Sequence, residues 1–85
     1  MIVRVRPRIE AKRPEIVPDD ARAAFLSALA KRARKTEPVQ YVGVGLDDHG
    51  RLLEFVAVEQ ARDEWLIYHC APPTKGVLKE LGLRR

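Results

Sequence analysis

The 85-residue chain has one cysteine, Cys70, which excludes an internal disulfide framework. With only two histidines and no CxxC pair, it also lacks the ligand clusters of a structural zinc site, and neither a metal nor a cofactor is expected. No apolar run approaches the length that crosses a bilayer, and the basic N-terminus has no apolar stretch of the signal-peptide kind. A cytoplasmic protein without membrane contact is therefore expected. Glycine is sparse, and "GVGLDDHG" does not have the spacing of a phosphate-binding loop.

Acidic residues are scarce in the first part of the chain. Residues 1–35 hold ten Lys/Arg against four Asp/Glu, whereas residues 36–85 hold six against eight, so the whole net charge of +4 is N-terminal. Such asymmetry favours contact with a polyanion, of which nucleic acid is the commonest in cytoplasm. The plainer alternatives are a solvated basic surface and one that docks an acidic partner protein. A hydrophobic content of 46% marks a globular chain, and the length sets a single domain over residues 1–85. A core of that size supplies only about 3–5 kcal/mol of net stability, so a stabilising partner fits the size alone.

The periodicity predicts an α+β fold: N-terminal helices packed on a three- to four-stranded antiparallel sheet, with a short C-terminal helix. "MIVRV" reads as a short edge strand and "PRIEAKR" as a short helix opened by Pro7 and stopped by Pro14. "PDDARAAFLSALAKRARK" reads as the clearest helix, capped by Asp19 or Asp20, with Ala21, Phe25, Ala28 and Leu29 on one face. Its last turns would carry Lys31, Arg32, Arg34 and Lys35. These four cations suit the negative end of a helix dipole and would equally make an RNA-binding surface. "VQYVGVGL", "RLLEFVAVEQ" and "EWLIYHCA" form an antiparallel meander, closed by Pro72 and Pro73 before the helix "TKGVLKELG".

The simplest register puts Val42, Val44, Leu53, Phe55, Ala57, Leu66, Tyr68 and Cys70 on the core face. Tyr41, Glu54, Val56, Trp65, Ile67 and His69 then lie on the other. Cleaving RNA without a metal requires a group to take the 2′-hydroxyl proton, one to protonate the leaving oxygen, and cations for the phosphate. Arg51, Glu54, His69 and Lys75 supply those types from neighbouring strands, and Tyr41 offers a ring for base stacking. A lone histidine at a strand end is more often structural, and Glu54 can simply pair with Arg51 or Lys75. Cys70, pointing into the core, is expected to be inert.

A strand ending in glycine, an Asp/Gly turn, "GRLLEFVAV", a short loop, "WLIYHCAPPTK" and a small closing helix resemble the BrnT-like toxins of the RelE/ParE-type toxin–antitoxin superfamily. The resemblance covers about residues 39–82, and the two preceding helices stand in the expected order. Its most specific part is "GRLLE" followed by a strand with "IYHCAPPTK", similar to the "IHAMP" segment of BrnT-like relatives. It implies the toxin of a bacterial type II toxin–antitoxin system: a metal-independent mRNA endoribonuclease that inhibits growth and is neutralised by an antitoxin encoded by an adjacent gene. RNA and that antitoxin are the partners implied, with the ribosome as a candidate third. Better-known members carry an arginine-rich run of the kind "ISARKATRRE" after the last strand. Here Arg51 matches the arginine after the hairpin glycine, and the later cationic role passes to His69 and Lys75. Two other readings stand beside this one: a non-catalytic protein-interaction module on the same fold, and a DNA-binding regulator using a basic helix over residues 19–35.

Overall fold

A computed structural model describes residues 1–83. In chain order the elements are β1 (Ile2–Val5), α1 (Pro7–Lys12), α2 (Pro18–Leu26), β2 (Ala30–Ala33), β3 (Gln40–Leu46), β4 (Leu52–Ala61), β5 (Glu64–Ala71) and α3 (Lys75–Glu80). The strands form one sheet in the order β1-β5-β4-β3-β2. The α+β class and the β3–β5 meander follow the periodicity, but the sheet has five strands and is mixed, because β1 runs parallel to β5. A parallel pair needs a long crossover, which α1, α2 and the rest of the sheet provide.

The predicted helix over residues 18–35 ends at Leu26. Ser27 intervenes: its hydroxyl donates to the Leu46 carbonyl at 2.7 Å and accepts from the Leu46 N–H at 3.2 Å, which fastens the chain to the end of β3. The residues that follow then pair with β3, Ala30 opposite Val44 and Ala33 opposite Tyr41. Helix propensity in "ALAKRA" is worth tenths of a kilocalorie per residue, and satisfying the open edge of β3 outweighs it. At the other end the N-cap is Val17, two residues before Asp19, so neither aspartate is the cap residue, and Asp20 reaches back to accept from the Val17 N–H at 3.0 Å.

Helices α1 and α2 cover one face of the sheet, where Ile9, Ile16, Ala24, Phe25, Leu53, Phe55, Ala57, Ile67 and Cys70 are buried together. Each large side chain among them contributes about 1.5–3 kcal/mol by leaving water. Helix α3 covers part of the other face, where Val77 packs with Val42, Val44 and Val56. Val42 and Val44 thus lie opposite to their expected side, because they pair with Val56 and Glu54. Gly43 and Gly45 face the helices instead. A Cβ at Gly45 would land on the Ala24 carbonyl oxygen, so this glycine lets the α2 backbone rest directly on β3.

A second departure lies in β5. Val56 pairs with His69 but its neighbour Ala57 pairs with Ile67, so Tyr68 is an extra residue, a β-bulge. Ile67 and Cys70 face the helix-covered core, while Tyr68 packs on the α3 side. Trp65, Ile67, Leu66 and Tyr68 consequently exchange the faces that strict alternation assigns them.

Candidate active site

Strand β1 is four residues long and β5 is eight. The β1–β5 pairing ends at Val5 opposite Ile67, with a last backbone bond from the Arg6 N–H to the Ile67 carbonyl at 2.9 Å. Pro7 then turns the chain into α1. Residues 68–71 of β5 continue without a strand on that side, and a cavity of about 940 Å³ lies there. Its walls include Arg6, Arg8, Lys12 and Arg13 from the α1 segment, Arg34 and Gln40 from the β2–β3 side, and Tyr68, His69 and Glu54.

Glu54 and His69 form the centre of this groove. Glu54 is 3% exposed, and a carboxyl group withdrawn that far from water must be supplied with donors. It has three. The Thr74 N–H and hydroxyl donate to Oε1 at 2.7 and 2.9 Å, and His69 Nε2 meets Oε2 at 2.7 Å. An ionised carboxyl group only accepts, so a neutral imidazole in this contact carries its hydrogen on Nε2 and leaves Nδ1 with its lone pair. The His69 side chain is 43% exposed, within reach of a bound molecule.

Arg34 stands on another wall, held by a two-pronged pair with Glu80 of α3 at 2.8 and 2.9 Å and a bond to the Gln40 amide oxygen at 3.0 Å. The hydrogen bond to Arg34 holds the Glu80 carboxyl below its ordinary value, and the same bond raises Arg34. Burial raises the Tyr68 phenol. Arg13 pairs with Glu15 at 3.9 Å, whereas Arg6, Arg8 and Lys12 have no ion-pair partner among the described residues. The groove is therefore cationic around one buried carboxyl group.

Of the residues expected to act together, Glu54 and His69 meet, and Arg34 joins them from the basic run. Arg51 lies elsewhere. It donates to Asp47 at 2.7 Å and to Asp20 at 3.0 Å, tying the β3–β4 turn to the start of α2. Lys75, the first residue of α3, is exposed and does not line the groove. Lys31 lies on the helix side of the sheet, its ammonium 5.8–5.9 Å from the ring centres of Phe25, Tyr41 and Trp65. Tyr41 is half-buried there against Trp65, away from His69. Arg32 and Lys35 are exposed on the β2 side.

Asp20, Asp47 and His49 come close enough together to hold a cation, with ligand atoms within 4.8 Å of one another. Arg51 already fills that role for the two carboxylates. Burial pushes the Cys70 thiol up to about 12, so it stays protonated and is no nucleophile, although it lines the groove. The cations of α1, with Tyr68 and Thr74, escaped sequence reasoning. The one signal for them was the density of arginine and lysine in "RVRPRIEAKR".

Among the described residues, no helix is long and apolar enough to cross a membrane. No family model, curated protein or solved structure matches the chain.

Proposed function

We propose that the protein binds and cleaves RNA in the groove between α1 and α3, acting as the toxin of a type II toxin–antitoxin pair. The observation that carries this reading is the 2.7 Å contact of His69 with buried Glu54 inside a groove lined by Arg6, Arg8, Lys12, Arg13 and Arg34. Imidazole is the side chain suited to moving protons near neutrality. Glu54 orients it, as a carboxylate does for a catalytic histidine, and stabilises its charged form after proton uptake.

In this mechanism His69 Nδ1 takes the proton of a ribose 2′-hydroxyl, the oxygen attacks the adjacent phosphorus to close a 2′,3′-cyclic phosphate, and the P–O5′ bond breaks, its leaving oxygen taking a proton from solvent water. The α1 cations and Arg34 stabilise the charge that develops on the phosphoryl oxygens. DNA lacks the 2′-hydroxyl and would be bound without being cut. The resemblance to BrnT-like toxins adds the biological setting: an mRNA substrate, growth inhibition, and an antitoxin from an adjacent gene.

A second reading, a binding module without catalysis, draws support from the surface. Strands β1 and β2 both leave a sheet edge open, and Leu26 and Leu29 beside β2 are 64% and 65% exposed. The DNA-regulator reading loses its basis, since the basic helix it needs ends at Leu26. The deciding experiment expresses the chain alone in bacteria and incubates the purified protein with RNA and with DNA of the same sequence. Growth arrest and RNA-only cleavage, both lost in His69→Ala, support the toxin. A harmless wild-type protein that cuts neither substrate overturns it in favour of the module.

A further inference from the structure

Glu54 Oε1 takes both of its hydrogen bonds from one residue, Thr74, whose N–H lies at 2.7 Å and whose hydroxyl lies at 2.9 Å. The same hydroxyl accepts from the Val77 N–H at 3.3 Å, which makes Thr74 the N-cap of α3. A hydroxyl has one hydrogen to donate. Because α3 occupies an oxygen lone pair, that hydrogen is turned toward Glu54.

The terminal torsion of a glutamate is soft, so a carboxyl group rotates unless its oxygens are held. With Oε1 pinned by two donors, Oε2 is presented to His69 Nε2 at 2.7 Å. The series of contacts runs from the first turn of α3 through the Thr74 hydroxyl and the Glu54 carboxyl to the imidazole. Val77 anchors that turn in the apolar cluster over β3 and β4. Glu80 binds it to Arg34 at the other end.

We propose that Thr74 is a positioning residue for the proton-transfer step: through Glu54 it sets the tautomer and orientation of His69, so that the docking of α3 and the readiness of the imidazole are one event. This rests on His69 being the proton-transfer group of the RNA reaction.

Capping and positioning separate by substitution. Thr74→Ser keeps both the donor and the cap. Thr74→Asp keeps a good cap acceptor, removes the donor, and sets a second carboxylate against Glu54. Thr74→Val removes the hydroxyl donor and the cap alike, and in both variants the backbone N–H of residue 74 is retained. The test records long-range proton–nitrogen spectra of the two imidazoles in nitrogen-labelled protein, with His49→Gln used to assign them, and measures RNA cleavage across pH on the same samples.

Wild type and Thr74→Ser should show a single His69 tautomer with hydrogen on Nε2. Thr74→Asp should keep a folded α3, populate the Nδ1–H tautomer, shift the pH profile, and cut RNA roughly tenfold more slowly, the scale of one hydrogen bond to a charged group. Thr74→Val should match that spectrum, with a lower melting temperature as well. A Thr74→Asp protein with the wild-type His69 spectrum and rate would overturn the proposal and reduce Thr74 to a helix cap. If the wild type cuts no RNA yet the spectra change as described, the positioning stands and the ribonuclease reading falls.

Discussion

Arg51 Nε donates to Asp47 Oδ2 at 2.7 Å, across the sheet's hairpin from the groove where the sequence suggests a catalytic arginine. Asp47 also receives the backbone N–H groups of His49 and Arg51 at 2.8 Å each. Burial works to raise its carboxyl, but these donors, led by the Arg51 N–H, bring it below its ordinary value. Arg51 is thus a structural residue: Arg51→Ala should lower the melting temperature and leave the cleavage rate of the folded fraction unchanged. A folded, inactive Arg51→Ala protein would return Arg51 to the site.

The pH dependence of stability follows from the same carboxylate and from Glu80, whose carboxyl Arg34 lowers. A group with a depressed folded-state value stabilises the native state above its unfolded value, and that contribution fades as pH falls through the folded one. Unfolded Asp and Glu titrate near 3.9 and 4.3, so the melting temperature should hold from neutrality to about pH 5 and fall below about pH 4. Arg51→Ala should flatten the acid limb, because Asp47 then loses its side-chain donor and nearby charge. An acid limb unchanged by that substitution would assign the loss to other groups.

His69→Ala should abolish RNA cleavage and growth inhibition, a loss of about 10²–10⁴-fold if the imidazole moves the proton. It also leaves Glu54 Oε2 without its partner, at a cost of roughly 1–3 kcal/mol if water does not replace the ring. Glu54→Gln is the sharper comparison, because its amide can donate to Nε2 and drive the hydrogen to Nδ1. Nuclease assays with melting curves on both variants check this, and a stable, fully active His69→Ala protein would remove the residue from the site.

Phosphate binding should reside in α1 more than in the basic run after α2. Changing Arg6, Arg8 and Lys12 to Gln should weaken binding of an RNA oligonucleotide and reduce the salt slope by about 0.7 for each phosphate that is no longer neutralised. The same change at Lys31, Arg32 and Lys35 should have the smaller effect. Fluorescence titrations over a salt series measure both slopes, and the reverse order would move the RNA path to the β2 edge.

Two glycine-to-alanine changes should have opposite signs. Gly45→Ala places a methyl on the Ala24 carbonyl and should cost about 1–3 kcal/mol as α2 is pushed off β3. Gly76, inside α3 with open space at its Cβ, should gain about 0.5–1 kcal/mol as alanine. Chemical denaturation of the two variants tests the pair, and a tolerated Gly45→Ala would contradict the close approach.

What is legible in the sequence is local. Pro7 and Pro14 bracket α1, Thr74 and Gly82 bound α3, and β-branched runs mark β3 to β5. The missing parts depend on residues distant in the chain. Ala30–Ala33 is a strand because β3 has an edge to fill, which helix-favouring alanines and arginines do not announce. Alternation puts Glu54 and His69 on one face because both lie where it holds, while the extra residue beside them defeats it for Trp65, Ile67 and Tyr68. The α1 cations reach the groove only because β1 stops short of the end of β5.

That extra residue has a consequence for how the chain tolerates change. The two halves of β5 are out of step by one position, and Tyr68 is the splice between them. Substituting Tyr68 would alter one side chain, and deleting it would restore strict alternation with its neighbours on their present faces. Losing the bulge while keeping the residue is the disruptive change: with Trp65 and Ile67 held in the core, regular pairing would turn the imidazole inward and the Cys70 thiol outward into the groove. The reading frame of the strand, more than the identity of any one residue on it, separates a sheet that carries a proton-transfer group from one that carries an exposed thiol. Reaction of Cys70 with a thiol reagent would report the exchange directly.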